Sequence, residues 1–279
     1  MLYELKKREY QKVTPIVKGA HFDFVIESLV AGRYPAKFYV DDIQHPNSIF
    51  VLEALSNYYF AGEEKNIEFN KSVEKLIVDS IIPEAIIHQN LYFKVYYSSN
   101  NWQSILHEVF KDRLPVIRER RIQTFEEIKI PDWKDQVLEG YHIKQIDEKL
   151  LARTYLKNVH SVIEEINSMW RSLNDFLKYG FGFCMIKEEK EVISWCTSEY
   201  VSEGKCGIGI ATIEREYKNK GFATLTATAF VDYCHKNHIS PYWESWKENS
   251  PSLRVAEKVG FQKKMDFSVL FGKYDESIC

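Results

Sequence analysis

The sequence predicts an α/β fold in two parts, and three observations carry that expectation. Strand-like apolar runs and helical patterns alternate along the whole chain. The length of 279 residues is beyond the usual single domain and favours about two. Composition also shifts midway, since eight of the twelve glycines fall in the last hundred residues and none lies between Gly62 and Gly140. A hydrophobic content of 45% is enough to give each part an ordinary packed core.

In the N-terminal part, residues 36–40 and 48–55 read as strands joined by a turn over 41–47. Asp41 and Asp42 in that turn resemble a carboxylate site, but two acids ahead of Pro46-Asn47 are turn chemistry. Helical patterns follow at 71–80 and 102–111, with a strand over 91–97 between them. Residues 129–135 read as a connector, which places an N-terminal domain at 1–130 and a second domain at 138–279. The second opens with a strand over 141–146 and helices near 147–157 and 161–178. Residues 181–187 and 191–201 then alternate as a hairpin turning at Glu188-Glu189-Lys190.

The most informative stretch follows. A short apolar strand, Cys206 to Ile213, ends in Tyr217-Lys218-Asn219-Lys220-Gly221 and runs into a helix with an apolar face at Phe222, Leu225, Ala229, Phe230 and Tyr233. The first amides of a helix lack internal partners and the helix dipole favours negative charge there, so this turn is an anion site. Gly221 lets the backbone approach a phosphate closely, and Lys218 and Lys220 add positive charge. Two familiar phosphate loops fail on the residues. No glycine is followed by Lys-Ser or Lys-Thr, and Gly207-Ile208-Gly209 meets Thr212 where a dinucleotide fingerprint needs its third glycine.

Composition narrows the partners. A net charge of −3 leaves no overall footprint for nucleic acid or an anionic membrane, and no apolar run approaches the roughly 18 residues needed to span a bilayer. The N-terminus carries early acidic residues and no apolar core of a signal peptide, so a cytoplasmic protein is expected. Five cysteines, all from Cys184 onward, do not make a disulfide framework; Cys184, Cys196 and Cys206 read as small buried hydrophobes. Cys234, His235 and His238 lack the companions of a zinc motif and read as a helix end, so no metal is expected.

Residues 218–223, Lys-Asn-Lys-Gly-Phe-Ala, resemble the coenzyme loop of the GCN5-related N-acetyltransferase (GNAT) superfamily, [QR]-x-x-G-x-[GA], with lysine in place of the first Arg or Gln. Lysine keeps the charge but gives up a planar fork of donors. The context strengthens the resemblance. Twenty-eight residues after Gly221 comes Asn249-Ser250-Pro251-Ser252, a short amphipathic helix, and Gly260-Phe261, similar to the superfamily's second conserved block. Ser250 suits the cap of that helix, Pro251 its first turn and Gly260 its stop. Taken singly, the lysines read as a solvated turn, Gly221 as an ordinary turn glycine and Asn249 and Ser250 as no more than a cap; their joint spacing and order carry the functional reading. Gly32, Phe38 to Asp42, Pro46 and Tyr59 to Gly62 further resemble the N-terminal part of the zwittermicin A resistance protein family.

The resemblance implies a mixed, mainly antiparallel central sheet flanked by helices, preceded by a degenerate GNAT-like α/β domain that shapes the acceptor cleft and supplies dimer contacts. It implies an acetyl-coenzyme A-dependent N-acetyltransferase in which a primary amine of a small molecule attacks the thioester directly. The strand ending at residue 213 would splay from the one near 242–246. Its backbone at Thr212 and Ile213 would bind the pantetheine and polarise the acetyl carbonyl. The amides of Asn219, Lys220, Gly221, Phe222, Ala223 and Thr224 would hold the pyrophosphate, and Asn249 would meet the coenzyme arm. A protonated amine benefits from a base. Glu199 and Glu244 are the candidates, each read alternatively as a solvated or ion-paired strand residue; Tyr200 and Ser245 are weaker ones. Trp243 and Trp246 are expected to pack or line the cleft. Many members place a tyrosine acid four residues before the Gly-Phe pair; here that position is Ala256. Its absence supports the alternative of a coenzyme A-binding sensor or scaffold with little turnover. A transferase of longer acyl groups is a further rival, whereas one using aminoacyl-tRNA conflicts with the net charge.

Overall fold

The computed structural model describes residues 1–274. The chain divides into two compact units, one formed by Met1–Glu119 together with the segment from Phe267 onward, the other by Arg120–Asp266.

The first unit begins with β1 (Tyr3–Glu4), α1 (Thr14–Val17), α2 (Asp23–Val30), β2 (Ala36–Val40), β3 (Ser48–Glu53) and β4 (Asn57–Gly62). It continues through α3 (Ile67–Leu76), α4 (Ile82–Ile87), β5 (Tyr92–Tyr97) and α5 (Trp102–Val109). Strands β1 to β4 are antiparallel neighbours in chain order, and β4 pairs β5 in parallel. In the β2–β3 turn, Asp41 Oδ1 accepts the amides of Asp42, Asn47 and Ser48, while Asp42 Oδ1 accepts those of Gln44 and His45. Both acids therefore serve the turn. Phe50, Tyr58, Phe60, Phe69, Phe93 and Trp102 bury completely or nearly so in one core, each contributing about 1.5–3 kcal/mol by leaving water. The helix expected at 71–80 starts earlier, because Asn66 caps α3 by accepting the Phe69 amide at 3.1 Å.

Strand β6 (Val116–Phe125) carries the chain into the second unit, which continues with β7 (Tyr141–Gln145), α6 (Glu148–Leu151), α7 (Val159–Met169) and α8 (Leu173–Tyr179). There follow β8 (Gly182–Lys187), β9 (Glu191–Ser202), β10 (Lys205–Thr212), α9 (Phe222–Lys236), β11 (Ser240–Trp246), α10 (Ser250–Val259) and β12 (Phe261–Lys273). The sheet of this unit runs β6-β11-β10-β9-β8-β7, antiparallel throughout except between β10 and β11. The last residues of β12 return to the first unit and pair antiparallel with β5, Leu270 opposite Val95. The single helix expected over 161–178 is broken at Trp170, which is extended, and restarts where Ser172 Oγ accepts the Asp175 amide at 3.1 Å. Strand β6 was not expected.

One core of the second unit packs α9 and α10 on the sheet through Phe181, Cys206, Ile208, Phe230, Trp243, Ala256 and Phe261. Cys184, Cys196, Cys206 and Cys234 are buried and unoxidised, and burial pushes the Cys184 thiol up. Cys279 lies outside the described residues. Among the described residues, no helix is long and apolar enough to cross a membrane.

Asp266 closes this unit with a bidentate pair to Arg121, at 2.7 Å from Nε and 3.0 Å from Nη2, and Lys263 stands at 2.9 Å. The Arg121 hydrogen bonds hold its carboxyl well below the usual carboxylate range. A depressed folded-state pKa stabilises the fold above the unfolded value near 4, and that contribution fades as pH falls toward the folded value. Asp266→Asn should therefore cost about 1.5–3 kcal/mol at pH 7 in chemical denaturation, with the gap to wild type narrowing steadily below about pH 4.

Candidate functional site

The site starts from a parting of strands. Between β10 and β11 in-register pairing covers only Lys205–Ser240, Cys206–Pro241 and Gly207–Tyr242. Beyond that point β10 continues to Thr212 against β9, while β11 continues to Trp246 against β6. The two parallel strands therefore diverge, leaving a gap about 16 Å long beside residues 208–212. Alternation along an antiparallel pair decides which β10 amides face it. Ile213 donates its amide to the Ile193 carbonyl at 3.0 Å and Ser194 Oγ donates to the Ala211 carbonyl at 2.7 Å, so residues 211 and 213 turn toward β9. Ile210 and Thr212 turn toward the gap. Of the two backbone positions expected to meet the acyl group, Thr212 faces it and Ile213 does not.

At the open end of the gap the chain makes a short helical turn, Arg215–Tyr217, and then the glycine turn. Asn219 and Gly221 both adopt left-handed backbone angles, φ 62° and 86°. Asparagine and glycine are the residues that accept this conformation at least cost. A Cβ on Gly221 would meet open space, so the backbone angle, not crowding, demands glycine here. Among the described residues no hydrogen bond is made by the six amides from Asn219 to Thr224; the next, of Leu225, donates to the Gly221 carbonyl at 3.0 Å. No side chain caps α9. The result is a concave run of outward N–H groups at the positive end of a fifteen-residue helix, a ready anion cradle.

Side chains brace that run from below. Phe222 is buried and stacks on Tyr141 at 4.8 Å, so only its backbone is available. Tyr217 is buried, and its hydroxyl donates to Glu191 Oε2 at 2.9 Å, tying the turn to β9. Burial works against the charge on Glu191, but hydrogen bonds from Lys157 and Tyr217 outweigh it and hold its carboxyl below the ordinary value. Lys218 and Lys220 are exposed, with the Lys220 Nζ 5.9 Å from the Tyr217 ring centroid. Asn249, rather than Ser250, caps α10, its Oδ1 accepting the Ser252 amide at 3.3 Å.

Both candidate bases fall on one face of this sheet. Glu199 and Tyr242 each stand opposite Gly207, so Glu199, Gly209, Tyr242 and Glu244 share that face. A bulge re-aims Glu199: β9 holds one residue more than β10 between the Glu199–Gly207 and Ser202–Lys205 pairs, with Tyr200 in the left-handed region at φ 48°. The carboxylate then lies across β10, where a Cβ on Gly209 would come within 2.3 Å of Glu199 Oε1. Glu244 is differently placed. One oxygen is paired with Arg120 Nε, and the other accepts the Tyr242 hydroxyl at 2.5 Å. Arg120 also lies over the Trp246 ring, 4.7 Å from its centroid. Trp243 is buried and donates to Ser252 Oγ at 2.9 Å, so it packs. Arg120 and Tyr242 escaped the sequence reading; the Arg-Glu-Arg-Arg run of β6 masks its alternation, and Tyr242 follows a proline. Among the described residues no cluster of three His, Cys, Asp or Glu side chains is disposed to hold a metal.

A family model described as GNAT acetyltransferase matches residues 14–270. The chain belongs to that family. Acetyl-coenzyme A-dependent acetyl transfer is the activity typical of it. The chain is 27% identical over 271 residues to a Bacillus subtilis (strain 168) protein described as the uncharacterized N-acetyltransferase YdfB, covering 97% of this chain and 98% of the relative. A GCN5-related N-acetyltransferase-like protein from Streptococcus suis 89/1591 superposes with a TM-score of 0.71 at 18% identity, over 95% of this chain and 98% of that one. A tandem GNAT protein from the clavulanic acid biosynthesis pathway superposes with a TM-score of 0.63 at 8% identity, over 99% and 98%. At these identities the likeness is one of fold: a mixed, mostly antiparallel sheet flanked by helices.

Replacing Gly221 by alanine should strain the left-handed turn by about 1–2 kcal/mol. Titration calorimetry should show coenzyme A binding weakened at least tenfold, while thermal melting shows a still folded protein.

Proposed function

We propose that this member transfers an acetyl group from acetyl-coenzyme A to the primary amine of a small molecule by direct attack. One observation carries the reading: six consecutive unbonded amides stand at the mouth of a gap between diverging parallel strands. Asn219 to Thr224 hold the pyrophosphate, with Lys218 and Lys220 adding charge, and Asn249 lies at the coenzyme arm. The pantetheine runs along β10, where the Thr212 amide polarises the acetyl carbonyl; one such preorganised donor is worth about 3–4 kcal/mol of barrier. Glu199 acts as the base, because Gly209 leaves room for its carboxylate beside the gap. Glu244, already engaged by Arg120 and Tyr242, orients those two side chains. The similarity of the N-terminal motifs to the zwittermicin A resistance family favours an aminated antibiotic or metabolite as acceptor.

The first unit supports a companion proposal, that it is an acetyltransferase-like lobe without a coenzyme site. It repeats the order of strand, helix, parallel strand and helix in β4, α3–α4, β5 and α5. Yet β4 and β5 stay paired from Asn57–Lys94 to Phe60–Tyr97, and Asn66 caps the following helix, so neither a gap nor an open amide run forms there. On this reading it supplies the contacts of a homodimer. Ala256, fully buried on α10, favours the second reading, a coenzyme A-binding sensor with little turnover.

Incubation with acetyl-coenzyme A and a panel of amines, read by thiol release and mass spectrometry, tests the function; coenzyme binding without release for any amine favours the sensor. With a productive acceptor, Glu199→Gln and Gly209→Ala should each lower kcat by about a hundredfold, with the KM for acetyl-coenzyme A nearly unchanged. Unaltered turnover in Glu199→Gln would remove that residue from the mechanism.

A further inference from the structure

The glycine turn has little to hold it from within. The Lys218 amide donates to the Arg215 carbonyl at 3.2 Å, and the next bonded amide among the described residues is that of Leu225. Asn219 and Gly221 are both left-handed. A segment without internal ties costs conformational entropy to order, so its shape has to be imposed from outside. Tyr217 and Phe222, one on either side, pack edge to face with ring centroids 6.0 Å apart, and Phe222 stacks on Tyr141. Tyr217 brings one polar side-chain atom into this packing, and its hydroxyl donates to Glu191 Oε2 at 2.9 Å.

Glu191 is a fixed post. Its side chain is 14% exposed, and its other oxygen accepts Lys157 Nζ at 2.6 Å. The strand around it is stitched to the segment ahead of α7. The Lys157 amide donates to the Lys190 carbonyl and the Val192 amide to the Lys157 carbonyl, both at 2.9 Å. Asn158 Nδ2 donates to the Val192 carbonyl at 3.1 Å. Lys157 also reaches Glu214 Oε1 at 3.4 Å, but its side chain is 60% exposed, and such an exposed pair contributes little. The hydrogen bond of Tyr217 to an ionised carboxylate is the stronger tie. We propose that Glu191 is a positioning residue for the coenzyme: through the Tyr217 hydroxyl it keeps the glycine turn open, so that the amides of Asn219 to Thr224 receive the pyrophosphate without reordering. This rests on the acetyltransferase reading. The gain is one of preorganisation, because the ordering cost is met before the ligand arrives.

The test is a double-mutant cycle. Tyr217→Phe removes one oxygen and keeps the ring, and Glu191→Ala removes its acceptor. In calorimetric titration with coenzyme A each variant should bind about tenfold more weakly than wild type, and the double variant no more weakly than either, since both remove one link. With a productive amine, kcat/KM for acetyl-coenzyme A should fall by the same factor. That for acetyl-pantetheine, which has no pyrophosphate, should stay within about twofold of wild type. Wild-type affinity in Tyr217→Phe, additive losses in the double variant, or an equal loss with acetyl-pantetheine would each overturn the proposal. Should Glu191→Ala not fold, Tyr217→Phe with the two donors still decides. Wild type failing to bind coenzyme A would instead bring down the reading on which the proposal depends.

Discussion

The site depends on where two parallel strands stop sharing hydrogen bonds. Backbone groups inside a folded protein must find partners, so a parallel pair that opens without refilling is costly. In the second unit β10 and β11 share three pairs and then separate, each kept in order by its other neighbour. That arrangement leaves the inward groups of Ile210 and Thr212 facing the gap. The first unit shows the alternative outcome. There the parallel pair β4–β5 stays paired, and its side chains Tyr58 and Phe60 join a buried hydrophobic core.

Charge around the gap is organised by fixed partners. Arg120 sits between Glu244 and the Trp246 ring, both of its neighbours coming from β11. Arg121, one residue on and on the opposite face, is taken by Asp266. Two adjacent arginines thus anchor opposite faces of one strand, as the twofold periodicity of β structure requires. Glu199 reaches its place by a different device, a bulge in its own strand and a missing side chain in the next. Both are backbone features.

The parts legible in the sequence are those specified locally. The glycine turn, the helix after it, the Asn-Ser-Pro start of α10 and the hairpin of β8 and β9 all carry their own punctuation. Strand β6 was not legible because its middle, Arg118 to Arg121, is charged on both faces; it becomes a strand only through partners more than a hundred residues away, Glu244 and Asp266. The break between α7 and α8 was missed because Ser172 reads as an ordinary helix residue until its side chain is seen to cap the next segment. The direction of the Ile213 amide and the crossing of Glu199 over Gly209 belong to register and bulge, which no local pattern encodes.

The last strand has a consequence for how the chain acquires its structure. Leu270 closes the first unit's sheet against Val95, and the Tyr274 hydroxyl meets that of Tyr58 at 2.6 Å. Those contacts join positions 175 and 216 residues apart in sequence. During synthesis the first unit therefore waits, with β5 an uncovered edge, until residues 270–274 have left the ribosome. Long-range pairing of this kind makes folding slow, and it makes residues 270–274 as necessary to the first unit as the strands more than 170 residues before them.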